Sequence, residues 1–85
     1  MATVFERVKR IVVELLAVSE DEVVPEASFL EDLGADSLDL IRLIEAYEEE
    51  FSDENRTFEI PGDVTQNLLT VQQVIDFLEE EGMGD

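Results

Sequence analysis

The sequence predicts an all-α fold: a small four-helix bundle with a short third helix and a long loop between helices 1 and 2. Three observations support this fold class. Apolar residues recur at the 3.6-residue period of amphipathic helices, capping signals precede those stretches, and no segment has the alternating pattern of a convincing strand. A length of 85 residues suffices for one domain, which is predicted to cover residues 1–85.

Helix 1 is predicted at residues 3–17. The run Thr3-Val4-Phe5-Glu6 has the pattern of a capping box, in which the threonine oxygen accepts a hydrogen bond from an amide that the helix leaves free and the Glu6 side chain reaches back to the start of the helix. Apolar residues with helical spacing follow at Val4, Phe5, Val8, Ile11, Val12, Leu15 and Leu16. One face of this helix is therefore expected to lie in the core.

A long connection, residues 18–36, follows helix 1. A single helical turn can form after Ser19, but Pro25 stops it because proline disfavours a helical residue before it. Phe29, Leu30 and Leu33 are apolar and are expected to hold the loop against the core. Long connections in compact domains are uncommon and often functional.

Helix 2 is predicted at residues 36–51. Asp36 is a good N-cap, and Asp39 adds negative charge to the first turn, where the helix dipole is positive. A helical wheel collects an apolar stripe that is expected to face the core, formed by Leu40, Ile41, Leu43, Ile44, Tyr47 and Phe51. Leu38 falls outside this stripe, among charged residues, and is expected to be exposed.

Two further helices are predicted in the rest of the chain. Val64 and Leu68, four residues apart, indicate a short helix 3 at residues 63–68. The run Thr70-Val71-Gln72-Gln73 is a second capping box and begins helix 4, at residues 71–81.

The charge and composition disfavour several classes of partner. Asp and Glu number 23 against 5 Lys and Arg, so the formal net charge is -18. Nucleic acid and anionic membrane surfaces are not expected ligands, because phosphate binding needs clustered cations. No apolar run approaches the roughly 20 residues of a membrane span, and the first residues lack a signal-peptide pattern. A cytoplasmic monomer is therefore expected.

The absence of His and Cys restricts enzymology. A serine nucleophile needs a base, usually His, and zinc prefers His or Cys ligands. Asp53 and Asn55 alternate like the start of a calcium loop, but Phe58 and Val64 stand where that loop needs Gly and Glu. We therefore expect no catalytic residue and no metal site, and a protein that is acted upon by enzymes and is not one itself.

Ser37 lies in the first turn of helix 2, three residues after Gly34. Free amides and the positive dipole end make such a position suitable for an anion. Serine is also common in cap regions, so spacing alone leaves a purely structural role open. Two points favour a functional role: Asp36 already fills the capping position, and Ser37 borders the apolar stripe.

The stretch Glu31-Asp32-Leu33-Gly34-Ala35-Asp36-Ser37-Leu38-Asp39 resembles the attachment site of acyl carrier proteins. The resemblance covers about residues 3–80, including Glu48-Glu49-Glu50-Phe51, Ile60-Pro61 and Thr70-Val71. It implies that Ser37 carries a covalent 4'-phosphopantetheine arm, attached as a phosphodiester by a phosphopantetheinyl transferase (holo-carrier synthase) that uses coenzyme A. The thiol of the arm then holds acyl groups as thioesters, which fits a chain without Cys or His.

The resemblance further implies partner enzymes of fatty acid biosynthesis, such as ketosynthases, reductases and acyltransferases. Basic patches on these enzymes are expected to meet an acidic surface, since complementary charge speeds encounter. The partner-binding residues are predicted to be Asp36, Leu38, Asp39, Glu48 and Glu49. The acyl chain is expected to fold between helices 2 and 3, in a pocket formed by Ile41, Ile44, Val64 and Leu68.

Some features depart from the family pattern. Arg42 and Glu45 stand where typical fatty-acid carriers have an acidic and an apolar residue, and the loop 52–59 is longer than usual. A specialised carrier for a polyketide or other secondary pathway is therefore an alternative, and a peptide carrier is another. An acidic helical adaptor without a prosthetic group is a third alternative, which modification of Ser37 would distinguish from a carrier.

Overall fold

The structure is a computed structural model that describes residues 3–55 and 57–82. It has four α-helices, α1 (Val4–Leu16), α2 (Ser37–Phe51), α3 (Gly62–Thr65) and α4 (Val71–Glu80). A single 3₁₀ turn at Glu20–Glu22 lies in the long loop between α1 and α2. No β-strand forms in the described residues, so the predicted all-α bundle with a short third helix is confirmed. The prediction of one domain over residues 1–85 stays a prediction, because residues 1, 2, 56 and 83–85 lie outside the described part.

Side-chain caps fix where α1 and α4 begin. Thr3 Oγ1 accepts a hydrogen bond from the Glu6 amide at 3.1 Å. At α4, Thr70 Oγ1 accepts from the Gln73 amide at 3.3 Å, and Gln73 Oε1 accepts from the Thr70 amide at 3.0 Å. The start of α4 confirms the capping box predicted from the sequence. At α1 only the threonine half of the predicted box forms, and within the described residues the Glu6 side chain does not accept from the Thr3 amide.

Helix α3 is shorter than the predicted range 63–68. It ends at Thr65. Beyond that residue the amides of Asn67 and Leu68 donate to carbonyls three residues back, at 2.9 Å and 3.2 Å. Such bonds tighten the backbone into turns and do not continue an α-helix.

The core lies where α1 packs against α2 and α4. Apolar residues with helical spacing are buried along each of these helices, which confirms the main predicted faces. The side chains with the least exposure are Val8, Val12, Val23, Phe29, Leu43, Tyr47, Val71, Val74 and Leu78. Of the helices in the described part of the chain, none combines the length and apolar character needed to cross a bilayer.

Three leucine and isoleucine side chains that the sequence places against the core are exposed. Ile41 is 56% exposed because it lies at the edge of the apolar stripe of α2, and Leu15, in the last turn of α1, is 40% exposed. Leu30 is 49% exposed. It lies inside a turn that closes when the amides of Asp32 and Leu33 donate to the Ser28 carbonyl, at 2.9 Å and 3.0 Å. That turn directs Phe29 and Leu33 inward and leaves Leu30 outside.

The long loop is bonded to the beginning of α4. The Phe29 amide donates to the Leu69 carbonyl at 3.1 Å, and the Val71 amide donates to the Ala27 carbonyl at 3.1 Å. A third bond runs from the Gln72 amide to the Pro25 carbonyl at 2.9 Å. These backbone bonds hold the loop as part of the bundle, which positions the segment that leads into α2.

Arg7 on α1 stabilises the other end of α2. Its Nε donates to Glu50 Oε2 at 2.8 Å and its Nη2 donates to the Glu50 carbonyl at 2.9 Å. The guanidinium also lies over the Phe51 ring, 4.2 Å from its centroid. A cation at the carbonyl end of a helix interacts favourably with the dipole, so Arg7 has a structural role beyond charge at the surface.

Candidate functional site

The start of α2 is capped by two aspartates. Asp36 Oδ1 accepts a hydrogen bond from the Asp39 amide at 2.9 Å, and Asp39 Oδ2 accepts from the Asp36 amide at 3.2 Å. The predicted N-cap is therefore confirmed, and Asp39 has the reciprocal position of the capping box. Because both carboxylates serve the cap, the hydroxyl of Ser37 is not needed for it.

Ser37 is the first residue of α2, and its side chain is exposed. Within residues 3–55 and 57–82 its hydroxyl makes no hydrogen bond, and the amides of Ser37 and Leu38 have no backbone acceptor. Such amides at a helix start carry the positive end of the dipole. The hydroxyl is therefore free to react, and an anion bonded to it would lie beside these two donors.

The backbone before Ser37 makes a constrained turn. Gly34 has φ 71°, in the left-handed region that residues with a Cβ rarely adopt. A Cβ at Gly34 would meet no atom within 4 Å, so the requirement for glycine is conformational and not one of space. The next residue, Ala35, is buried, and its amide donates to the Phe29 carbonyl at 2.8 Å. This turn brings the chain out of the core directly into the Asp36 cap.

A groove of about 390 Å³ begins beside Ser37 and follows α2. Three of the four residues predicted for the acyl pocket, Ile41, Ile44 and Leu68, line it. Val64, which is half-buried against the core, is not among the lining residues. The other lining residues are Phe29, Leu40, Leu43, Glu45, Tyr47, Thr65 and Gln66. That an acyl chain occupies this groove stays a prediction.

The sequence contained a signal for the α2 wall of the groove. The positions three, four, seven and ten residues after Ser37 lie on one side of a helix. In this chain they are occupied by Leu40, Ile41, Ile44 and Tyr47. Phe29 carries no such signal, because it reaches the groove only through the path of the long loop.

Tyr47 is the buried polar residue of the groove. Its side chain is 1% exposed, and among the described residues its hydroxyl has no hydrogen-bond partner. Burial raises the pKa of the Tyr47 phenol well above its ordinary value. Sequence reasoning assigned this tyrosine to the apolar core and missed that its hydroxyl needs a partner.

The predicted partner-binding residues differ in their environments. Leu38 is 66% exposed, and Asp36 and Glu49 are exposed as well. Asp39 is half-buried in the capping box. Glu48 is half-buried because its Oε2 accepts a hydrogen bond from the Ile60 amide at 2.8 Å. Glu48 therefore holds a distant part of the backbone, which residue type and spacing do not indicate.

The loop 52–59 is joined to the end of α2 and to α4. Ser52 Oγ donates to the Glu48 carbonyl at 2.6 Å and accepts from the Phe58 amide at 2.8 Å. The Phe58 ring is buried, with centroids 6.4 Å from Phe51 and 6.2 Å from Phe77. Arg56 of this loop lies outside the described residues. In the described part of the chain, no group of three or more acidic side chains is placed to hold a metal ion.

A comparison with protein families finds a match over most of this chain. The family model described as "Phosphopantetheine attachment site" matches residues 6–78. The matched span contains Ser37, its aspartate cap and every residue that lines the groove.

Proposed function

This chain belongs to the phosphopantetheine attachment site family, and from that premise we propose that Ser37 is the residue that bears the arm. Membership of the family implies a covalently attached 4'-phosphopantetheine group, so the protein is a phosphopantetheine-bearing carrier of acyl groups. The observation that carries the assignment to Ser37 is its exposed, unbonded hydroxyl at the start of α2.

The other serines of the chain support the assignment by comparison. The chain has four serines, all within the matched span. Ser28 Oγ accepts a hydrogen bond from the Glu31 amide at 3.2 Å, and Ser52 Oγ is bonded to the Glu48 carbonyl. Ser19 is exposed, but it precedes a 3₁₀ turn and does not line the groove. Ser37 alone among them combines a free hydroxyl, a helix start and an adjacent groove.

The amides at the start of α2 suit a phosphodiester on Ser37. A phosphodiester bonded to Ser37 would lie next to the free amides of Ser37 and Leu38, at the positive end of a 15-residue helix. Asp36 and Asp39 add negative charge, but each of their carboxylates accepts an amide hydrogen of the cap. The donors of the helix start therefore favour a phosphate at Ser37, and the charges of Asp36 and Asp39 oppose it.

Within the carrier class, the acyl carrier proteins of fatty acid biosynthesis are the proposed identity. The protein would then receive its arm from a phosphopantetheinyl transferase and deliver acyl groups to ketosynthases, reductases and acyltransferases. The chain itself would not be an enzyme, because the reactive sulfur belongs to the arm and the catalytic groups to these partners. The family match sets aside the adaptor without a prosthetic group.

One observation favours a specialised carrier of a polyketide or other secondary pathway as the second candidate. Arg42 and Glu45 are exposed on α2, and Glu45 lines the groove. Both positions lie beside the proposed arm, where they would meet partner enzymes or the cargo. An intact mass of the protein from its native host decides between the pathways, because it reports both the arm and the group it carries.

We further propose that a loaded acyl chain folds into the groove along α2. We expect the methyl resonances of Ile44 and Leu68 to shift progressively as the acyl chain is lengthened, because both residues line the groove. Val13 on α1 lines a separate depression and is the control. Chemical shifts of Ile44 and Leu68 that do not respond to chain length would count against storage in the groove.

The predicted partner surface is best tested at Glu49. Asp36 caps α2 and Glu48 binds the Ile60 amide, so reversing either charge would disturb the fold as well as the surface. Glu49 is exposed and has no such bond among the described residues. We expect Glu49→Lys to slow loading by the transferase about fivefold at low ionic strength, because it weakens electrostatic steering.

The control for Glu49 is Glu14→Lys on α1, which changes the net charge by the same amount. Glu14 is exposed and lines the depression away from the groove. If the two variants load at the same rate, net charge and not this surface governs the encounter. The Glu49 effect should also disappear at high salt, since screening removes steering.

A further inference from the structure

The hydroxyl of Tyr47 has no structural role in the unloaded protein. It is buried, and in residues 3–55 and 57–82 nothing accepts its proton or donates to its oxygen. A buried hydroxyl without a partner costs stability, because it loses its hydrogen bonds to water and gains none. Phenylalanine would supply the same ring without that cost, so stability does not account for a tyrosine at this position.

The location of Tyr47 connects it to the proposed arm. Ser37 and Tyr47 line the same groove and lie ten residues apart on α2, which separates them by about 15 Å along the helix axis. A chain attached at Ser37 and folded along the groove therefore passes over the tyrosine.

The surroundings of Tyr47 are apolar. Phe29, Leu43 and Leu68 are buried around the groove, and Ile44 is half-buried. Besides Ser37 and Tyr47, Thr65 is the residue with a hydroxyl that lines the groove. Its hydroxyl already donates to the Gly62 carbonyl at 2.7 Å. Glu45 and Gln66 also line the groove but are exposed, so Tyr47 is the buried hydrogen-bonding group of its apolar inner wall. Such an arrangement fixes the position of one polar atom in an otherwise apolar ligand.

We propose that the Tyr47 hydroxyl binds an oxygen atom of the carried acyl group, so that the groove holds chains with a keto or hydroxy group at that depth more tightly than saturated chains of the same length. This inference rests on the proposed attachment of the arm at Ser37. The entering chain reaches the hydroxyl by displacing groove side chains, and the phenol donates its hydrogen to the oxygen of the cargo. Burial raises the pKa of the phenol, so it stays protonated and able to donate at neutral pH.

The test compares matched cargoes on matched proteins. A phosphopantetheinyl transferase would load octanoyl, 3-oxooctanoyl and 5-oxooctanoyl groups from coenzyme A analogues with an amide in place of the thioester, which prevents hydrolysis. The recipients are the unsubstituted protein, Tyr47→Phe, and the control Thr65→Val, which removes the bonded hydroxyl of the groove. The readouts are the melting temperature and the ¹³C shift of a labelled keto carbon.

In the unsubstituted protein, at least one oxo cargo is expected to raise the melting temperature about 4 °C above that of the octanoyl form. Its keto carbon should resonate downfield of the position found in Tyr47→Phe, because a hydrogen bond polarises the carbonyl. The difference between oxo and saturated cargo should vanish in Tyr47→Phe and persist in Thr65→Val.

The unloaded proteins give an independent check. Unloaded Tyr47→Phe is expected to melt at the same temperature as the unsubstituted protein or a few degrees higher, because it loses an unpaired buried hydroxyl. A clearly lower melting temperature would show that the hydroxyl already has a partner, such as a bound water, and would overturn the inference.

The outcomes separate this inference from the proposed function. If the transferase does not attach the loaded arm to the unsubstituted protein, or attaches it to a residue other than Ser37, the attachment proposal fails. If loading succeeds but oxo and saturated cargoes give equal melting temperatures, the carrier proposal stands and the role of Tyr47 is refuted.

Discussion

Ser37→Ala is expected to abolish attachment of phosphopantetheine completely while leaving the fold intact. The hydroxyl is the proposed nucleophile of the transfer, and no other serine offers a free hydroxyl at the start of an α-helix beside the groove. The fold should be unaffected because the Ser37 side chain is exposed and Asp36 and Asp39 provide the cap. We expect the free energy of unfolding to change by less than about 0.5 kcal/mol, as for a surface substitution without bonds.

The measurement is the intact mass after incubation with coenzyme A and a broad-specificity phosphopantetheinyl transferase, together with a denaturant melt. The unsubstituted protein should gain the mass of one arm, and Ser37→Ala should gain none. Ser19→Ala is the matched control, since Ser19 is exposed and its side chain makes no cap bond. An arm on Ser37→Ala would place the attachment at another residue, and a large loss of stability would mean that the hydroxyl supports the helix.

The beginning of α2 could be predicted from the sequence because its determinants are local. One helical turn contains Asp36, Ser37 and Asp39, so residue type and spacing alone indicate the cap. The two aspartates account for that cap without the serine. The same holds for Thr70 at the start of α4. Where a side chain bonds within three or four residues, pattern and structure agree.

The remaining features depend on tertiary contacts that spacing does not encode. The wheel places Ile41 in the apolar stripe, but that position is exposed at the edge of an open groove beside the one-turn helix α3. The acidic pattern makes Glu48 a surface residue, whereas its carboxylate binds the amide of Ile60, twelve residues away. The unpartnered hydroxyl of Tyr47 becomes evident only once all the groups around it are placed.

The path of the loop between α1 and α2 determines the shape of the site. Phe29 is 1% exposed, its amide donates to Leu69, and its carbonyl accepts from Ala35 just before the α2 cap. Its ring also lines the groove. Phe29, in a segment without regular secondary structure, therefore connects two parts of the site. One is the turn that presents Ser37, and the other is the wall of the proposed cargo site.

Phe29→Ala is consequently expected to destabilise the protein by about 3–5 kcal/mol, the usual cost of removing a fully buried phenylalanine. That is a large part of the roughly 5–15 kcal/mol that stabilises a typical domain. The neighbouring Leu30→Ala is the matched control, because Leu30 is 49% exposed in the same turn and should cost much less. Urea denaturation measures both, with an unchanged slope indicating that the unfolded state is not altered.

The same pair of variants tests whether the loop supports the site. Loss of the Phe29 ring enlarges the groove, so the chemical shifts of Ile44 and Leu68 in the loaded protein should depend less on acyl chain length, measured at a temperature where the variant remains folded. Leu30→Ala should retain the dependence of the unsubstituted protein. If Phe29→Ala and Leu30→Ala had equal stability, the loop would not contribute to the core. If Phe29→Ala were destabilised but kept the full dependence on chain length, Phe29 would stabilise the fold without shaping the groove.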